Sequence, residues 1–378
     1  MNPLDGVLVA DFSRVLAGPL ATTTLADLGA TVIKVERPSV GDDTRHWGPP
    51  WTAHTSAYFE CANRSKQSVA LDLDDPDDLD TARMLAAEAD VVVENFRVGA
   101  LDAKGLGYAA VAAANPRVVY CSVSGFGSAG GAALPGYDFL VQAVGGLMSI
   151  TGDANPTKVG VALVDVLTAK DAVIGILAAL RERDRSGLGQ HVEVNLLSSL
   201  LGSLANQASS YLATGHSPGL LGNAHPSIAP YETLACADGQ IAVCCGNDRQ
   251  FRDLTEVLGH GELAEDPRFR TNGARVAHRA ELVPLLEAAL TQDTTEHWVN
   301  RLTAARIPAG SVGDIGSALD LADSLGLTPL VDVGPDATPQ IRHPVSYSRT
   351  PVTTYRRPPR LGEHTEAVRR FLDRRRTA

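Results

Sequence analysis

Apolar and polar blocks alternate regularly along the first third of the chain. Residues 7–12, VLVADF, form a short apolar run that predicts a buried strand. Ala17 to Leu28 follow AGP with helical character, Pro19 suits a first helical turn, and Gly29 closes the segment. Residues 31–36, TVIKVE, predict the next strand and complete a βαβ opening. The alternation continues with a strand at 68–73 (SVALDL), an acid-started helix from Pro76 to Ala89 and a strand at 90–95 (DVVVEN). Beyond the Asn115-Pro116 break, RVVYCSVSG at 117–125 predicts a further strand. Strands alternating with helices predict a parallel α/β sheet, in which ligands sit at the carboxyl ends of the strands. Those ends carry Ser13-Arg14, Glu36-Arg37, Asn95-Phe96 and Ser124-Gly125.

The second half changes character. Residues 161–183 predict a long apolar helix with Asp165 near its start, and 185–197 a turn leading into a strand or helix start. Residues 215–230 are rich in Gly and Pro and predict a domain connection. Residues 231–248 predict two strands around an Asp238-Gly239 turn, followed by helical stretches over roughly 249–305. The tail is Pro-rich and extended, and ends in a helix; no internal repeat is visible.

A length of 378 residues suggests one large and one smaller domain. A net charge of −11 argues against a nucleic-acid partner, though a local Arg/Lys cluster can still hold an anionic small ligand. Every long apolar run is interrupted by charge, Gly/Pro or polar residues, so no membrane span is expected. The N-terminal MNPLDGVLVADFS lacks a signal-peptide pattern, and the five cysteines are odd in number without CxxC spacing. Together these predict a cytoplasmic protein with reduced thiols and no zinc site. The loop SGFGSAGGAALPG at 124–136 is not a dinucleotide fingerprint; it reads as a surface loop or one that covers a ligand.

Several stretches, in order and over nearly the whole chain, resemble the class III CoA-transferase family. They include VADFSRVLAGP, LADLGATVIKVERPSVGDDTR, NRSKQSVALDL, ADVVVENFRVGAL, NPRVVYCSVSGFG, GYD and VDVLTAKDAVIGILAALRERDRSGLGQHVEV. GNAHPSIAPYETLACADGQIAVCCGNDRQF and PRLGEHTEAV complete the set. The resemblance implies a Rossmann-like large domain with a parallel sheet plus a smaller α+β domain, in an interlocked, ring-like homodimer. The large domain is expected over 1–200, completed by 325–378, with a linker at 201–230 and the small domain at 231–324.

The resemblance also assigns residues. Asp165, ten residues before Gly175, matches the family's nucleophile. A carboxylate there attacks an acyl-CoA thioester, forms a mixed anhydride, and is converted to an aspartyl-CoA thioester that passes CoA to a second acid. No metal or permanently bound cofactor is implied; coenzyme A and acyl-CoA enter as substrates, with a carboxylic acid as the other partner. Read without the resemblance, Asp165 is a helix N-cap, which contributes ~1 kcal/mol. Asp171 is the rival carboxylate inside the same helix.

Tyr137 and Asp138 fall in Gly-Tyr-Asp, where the family's racemases carry Gly-His-Asp. An unperturbed phenol ionises near about 10, so it shuttles protons poorly at neutrality. Transfer is therefore favoured over α-methylacyl-CoA racemisation, with Tyr137 catalytic or positioning and Asp138 near the substrate. A core tyrosine and a turn aspartate are the plain alternatives. CoA is expected on Arg14, Val15, Ala17, Arg37, Asn95, Phe96 and Lys104, Arg being suited to its phosphates. Gly246 and Asn247 are expected near the acyl group, and His225 reads as structural. Arg14 and Leu16 stand where formyl-CoA transferase has His and Gln, which argues against formyl or oxalyl chemistry; the stretch from Gly222 resembles members that use dicarboxylates such as succinate. A nonenzymatic CoA-binding homologue is the remaining alternative, disfavoured by the presence of Asp165.

Overall fold

The computed structural model describes residues 2–376. The chain divides into two compact units. The first runs to Leu147, then takes Val159–His216 and everything from Thr328; the second takes Met148–Lys158 and Ser217–Leu327.

The first unit is built on six strands: β1 (Leu8–Asp11), β2 (Thr31–Glu36), β3 (Gln67–Ala70), β4 (Val91–Glu94), β5 (Val119–Ser124) and β6 (His191–Asn195). They form one sheet in the order β3-β2-β1-β4-β5-β6, and every pair is parallel. The five strands expected from the first 125 residues are therefore present, each within a few residues of its predicted bounds. The strands are short apolar runs because both faces are covered. Val9, Val32, Val91, Val93, Val119 and Cys121 face one core; Ala10, Ile33, Val35, Val69, Val92 and Tyr120 face the other.

Helices α1 (Ala17–Asp27), α2 (Ala57–Cys61), α3 (Pro76–Glu88), α4 (Tyr108–Ala114), α5 (Asp138–Val144), α6 (Leu163–Ser186), α7 (Leu196–Ser203) and α8 (Ala205–Thr214) follow in chain order. Helix α6 lays Val164, Ala169, Ala172, Ile176 and Ala179 on the first core, against Ala21 and Leu25 of α1. Gly175 allows this approach: a Cβ there would meet Val192 Cγ1 at 2.8 Å. The opposite face is covered by α3 and by the C-terminal helix Thr365–Arg376, whose Val368 and Leu372 are buried there. Arg369 on that helix pairs with Asp78 of α3. Residues 205–214, which the sequence placed in a linker, are helical as α8.

The second unit has a three-stranded antiparallel sheet of β7 (Tyr231–Ala235), β8 (Gln240–Cys244) and β9 (Ala309–Ser311), with β8 central. Helices α9 (Asp248–Leu258), α10 (Asn272–Ala277), α11 (Arg279–Leu290) and α12 (Thr295–Ala304) surround it. Leu234, Ile241, Phe251, Phe269, Leu286, Trp298 and Leu302 make its core. Residues 148–158 join this unit rather than the first, and the Gly222 amide donates to the Gly152 carbonyl at 2.9 Å. No helix among the described residues is long and apolar enough to cross a membrane.

Candidate active site

Strand order reverses between β1 and β4, so the loops leaving these two strands flank a crevice at their carboxyl ends. The first loop, 12–16, leads into α1; the second begins at Asn95. They are stitched together: the Arg14 amide donates to Asn95 Oδ1 at 2.8 Å, and Asn95 Nδ2 donates to the Arg14 carbonyl at 2.7 Å. The Arg14 guanidinium lies over the Phe96 ring, 4.6 Å from its centroid. Val15 has φ 70°, a left-handed conformation that is costly for a β-branched residue. Its amide is held by both oxygens of Asp42, at 3.2 and 3.3 Å.

Asp42 is itself fixed from below. Lys34 Nζ lies 2.9 Å from Asp42 Oδ2 and donates to the Ser13 carbonyl at 2.8 Å, with both side chains fully buried. Beside it, Lys66 pairs with Asp11 at 3.0 Å and Arg45 with Glu36 at 2.7 Å. Burial disfavours the charged forms of Glu36 and Asp42. The cations and hydrogen bonds around them outweigh that cost and hold both carboxyls below their ordinary values. A layer of paired buried charge thus supports the strained loop. Sequence reading missed Asp42, although it lies in the quoted GDDTR stretch; nothing in spacing shows that an acid will clamp a backbone 27 residues earlier.

Above this floor is a cleft of about 540 Å³. Arg14, Val15, Ala17, Asn95, Phe96, Tyr137 and Asp165 all line it, together with the 125–136 loop. The glycine-rich loop is therefore part of the cleft wall. Gly125 and Gly136 pass so closely that a Cβ on either would lie about 2.5 Å from the other's Cα.

Asp165 is not a cap. Ala162 occupies the N-cap position of α6 and offers no side-chain capping bond, and Asp165 is the third helical residue. The capping task falls to Asp138, whose Oδ1 accepts from the Val164 amide at 2.8 Å. Its Oδ2 accepts from Gln142 at 2.8 Å, so both carboxylate oxygens are occupied within the fold. Asp138 is thus absent from the cleft wall where the sequence expected it near the substrate; it acts on Asp165 electrostatically. Burial, followed by the Asp138 charge, pushes the Asp165 carboxyl up to about 7. Burial, then the charge of Asp165 and those of Cys61 and Asp138, raises the hydroxyl of Tyr58, a residue the sequence reading did not single out, to about 12. Asp171 is exposed and lines no part of the cleft.

A second cavity of about 180 Å³ adjoins the first, with Arg14 and Phe96 in both walls. Its apolar lining is Phe12, Val35, Leu71, Leu73 and Phe96; Arg37 and Lys104 stand at it. Arg37 pairs with Asp43, and Lys104 Nζ lies 2.6 Å from Asp74 Oδ1. Gly246 and Asn247 lie in the second unit, where Asn247 Oδ1 caps α9 by accepting from the Gln250 amide at 3.0 Å. His225 packs its ring against Tyr231 and accepts from the Ser227 amide at 3.1 Å. Among the described residues, no group of three or more His, Cys, Asp or Glu side chains is placed to hold a metal ion.

The sequence profile described as CoA-transferase family III matches residues 4–365. A succinate–glutarate CoA-transferase from Agrobacterium fabrum is 42% identical over 97% of this chain and 94% of its own length. An acetyl-CoA:oxalate CoA-transferase from Acetobacter aceti is 40% identical over 88% of this chain and 86% of its own. Among solved structures, a CAIB/BAIF family protein from Brucella suis superposes with a TM-score of 0.89 at 45% identity, covering 99% of this chain and all of that one. On a match this long, with relatives this similar, the chain belongs to CoA-transferase family III and is a CoA-transferring enzyme.

Proposed function

We propose that the protein is an acyl-CoA:carboxylate CoA-transferase, that Asp165 is its nucleophile and that it exchanges CoA between dicarboxylates, with succinate as donor acid. The observation that carries this reading is a carboxylate, paired with no cation among the described residues, in the same cleft as the Arg14–Ala17 loop and the Asn95–Phe96 turn. The adenosine end of CoA occupies the smaller cavity by Arg37 and Lys104, and the pantetheine passes Arg14 and Phe96 to reach Asp165. Val15 and Ala17 present backbone, Asn95 fixes their loop, and Tyr137 orients the thioester at the cleft mouth.

A carboxylate oxygen of Asp165 attacks the thioester carbonyl; the C–S bond breaks and CoA thiolate leaves a mixed anhydride. The thiolate attacks the aspartyl carbonyl, releasing the donor acid and forming the aspartyl-CoA thioester. The acceptor carboxylate attacks that thioester, CoA thiolate departs, and a second anhydride forms. Attack of the thiolate on the acceptor's acyl carbon yields the new acyl-CoA and restores Asp165. Thioester energy is conserved throughout. The raised proton affinity of Asp165 also makes its anion a better nucleophile, at the cost of a smaller ionised fraction near neutrality.

Succinate and glutarate recur in the names of relatives and oxalate appears in one, so the acceptor panel includes oxalate, which the Arg14/Leu16 comparison had argued against. The working form is a cytoplasmic homodimer; its second copy covers apolar side chains such as Val144 and Ile174, which are 61% and 65% exposed in the single chain. Gly246 and Asn247 approach the acyl group in that assembly. Racemisation is disfavoured by Tyr137 at the racemase histidine position. The deciding experiment incubates the enzyme with succinyl-CoA and hydroxylamine. A hydroxamate within Val161 to Lys170, dependent on the acyl-CoA, supports the mechanism; α-deuterium exchange of a methylacyl-CoA without any adduct favours the racemase instead.

A further inference from the structure

The smaller cavity presents an electrostatic peculiarity. Two of the cations lining it, Arg37 and Lys104, are each paired with an acidic side chain nearby. Asp74 is 87% exposed at its side chain, so the Lys104–Asp74 contact is screened by water and weak. It is nonetheless built: Asp74 sits in a self-ordered acidic turn, its amide donating to Asp72 Oδ1 at 3.0 Å, and the Asp72 amide donating to Asp78 Oδ2 at 2.8 Å. Lys104 has a second tether, donating to the Leu73 carbonyl at 3.0 Å, and its own carbonyl accepts from Arg83 Nε at 2.9 Å. The ammonium is therefore held at the cavity whether or not Asp74 engages it.

The two cavities differ in which end of a ligand they can take. Arg14 and Phe96 line both, whereas Lys104 and Asp74 line only the smaller one, away from Asp165. In the placement of CoA given above, the adenosine end fills the smaller cavity, and the ribose 3′-phosphate, farther from the thioester than the pyrophosphate, is the group set toward Lys104. We propose that Asp74 is a resident stand-in for the CoA 3′-phosphate: Lys104 exchanges the Asp74 carboxylate for the phosphate on binding, and Asp74 thereby sets selectivity for CoA over its 3′-dephospho form. This rests on the placement of CoA given above. A singly charged, exposed carboxylate on a half-buried lysine is displaced by a doubly charged phosphate, while a ligand lacking that phosphate leaves the pair intact. The competition weakens CoA binding somewhat and keeps the cation from recruiting smaller anions when the site is empty.

The test is calorimetry of the full-length enzyme with CoA and with 3′-dephospho-CoA. Asp74→Asn should bind CoA about threefold more tightly, the scale of an exposed ion pair, and leave 3′-dephospho-CoA affinity unchanged. Lys104→Ala should weaken CoA only, and adding Asp74→Asn to it should bring no gain. An Asp74→Asn enzyme with unchanged or weakened CoA affinity overturns the inference, as does an equal gain for both ligands. Arg14→Ala separates the two levels. If it weakens CoA while Asp74→Asn does nothing, only the exchange fails; if neither Arg14→Ala nor Lys104→Ala alters CoA affinity, the placement of CoA fails with it.

Discussion

Asp11 and Asp165 belong to the same α/β unit, and burial penalises the charge of each. Their surroundings drive them apart. Asp11 is fully buried under the first loop, and burial alone would raise its proton affinity; Lys66 and Lys34, with hydrogen bonds from Ser13 and Thr22, outweigh that and hold it down to about 2. Asp165 has no cation to offset burial, and the neighbouring Asp138 charge adds to it, so it sits at about 7. One carboxylate is satisfied and serves the framework; the other is left unsatisfied in an open cleft. Unsatisfied charge is destabilising, so its retention points to chemistry.

The sharpest way to break this contrast is to remove each carboxylate by amide substitution. Asp165→Asn should lose transfer by about 10⁴-fold or more while keeping fold and CoA binding, because an amide cannot form the anhydride. Near-normal turnover, with deamidation excluded by mass, would overturn the nucleophile. In the wild type, acyl-CoA-dependent acylation should rise through pH about 7 and level off above it, since only the ionised form attacks. A flat profile from pH 5 to 9 contradicts the raised carboxyl.

Asp11→Asn should act on the framework instead. It leaves Lys66 and Lys34 buried with one fewer counter-charge, a change that costs about 3–5 kcal/mol. Denaturant unfolding should show that loss. The sign with pH follows from the folded carboxyl at about 2 against its ordinary 3.8: its contribution is complete above the higher value and disappears as pH falls through the lower. Full stability of Asp11→Asn at pH 7 would mean that the paired layer contributes nothing.

How far this contrast was legible in the sequence depends on range. The βαβ pattern was readable because each strand is a local apolar run between turn signals, and the hairpin at Asp238-Gly239 for the same reason. Gly175 and Asp165 carried a family spacing. What spacing could not carry was the division of labour between Asp138 and Asp165. Which of them caps α6 depends on the fold bringing residue 138 to the helix start, 26 positions away in sequence. The Asp42 clamp on Val15 and the Glu36–Arg45 pair are of the same kind: contacts between short, ordinary-looking stretches, with no periodicity to announce them.

Arg37→Ala probes the rim, between these two extremes. It should raise the KM for CoA esters about tenfold, ~1.4 kcal/mol, and leave kcat at saturation nearly unchanged. A remote phosphate or adenine contact is similar in ground and transition states, so it binds without accelerating. Equal CoA affinity of mutant and wild type by calorimetry, or a fall in kcat with KM unchanged, would place Arg37 outside the binding site.

The smallest effect expected is the most direct measure of the contrast: Asp165→Asn should stabilise the protein. The folded carboxyl at about 7 lies above its unfolded value of 3.8, so the native state holds the proton more tightly. Its favourable contribution is complete below the unfolded value and is lost as pH rises through the folded one. At pH 8 the native wild type therefore carries an unpaired, half-buried anion that the asparagine variant lacks. At pH 4 or just below, Asp165 is largely neutral and the two proteins differ little. The variant should melt roughly 2 °C higher than wild type at pH 8, with the gap closing toward pH 4. Asp11→Asn should show the reverse, a deficit that is largest at neutral pH and shrinks in acid. A variant of Asp165 less stable than wild type at pH 8 would mean that this carboxylate is satisfied after all, and the two sites would no longer differ in kind.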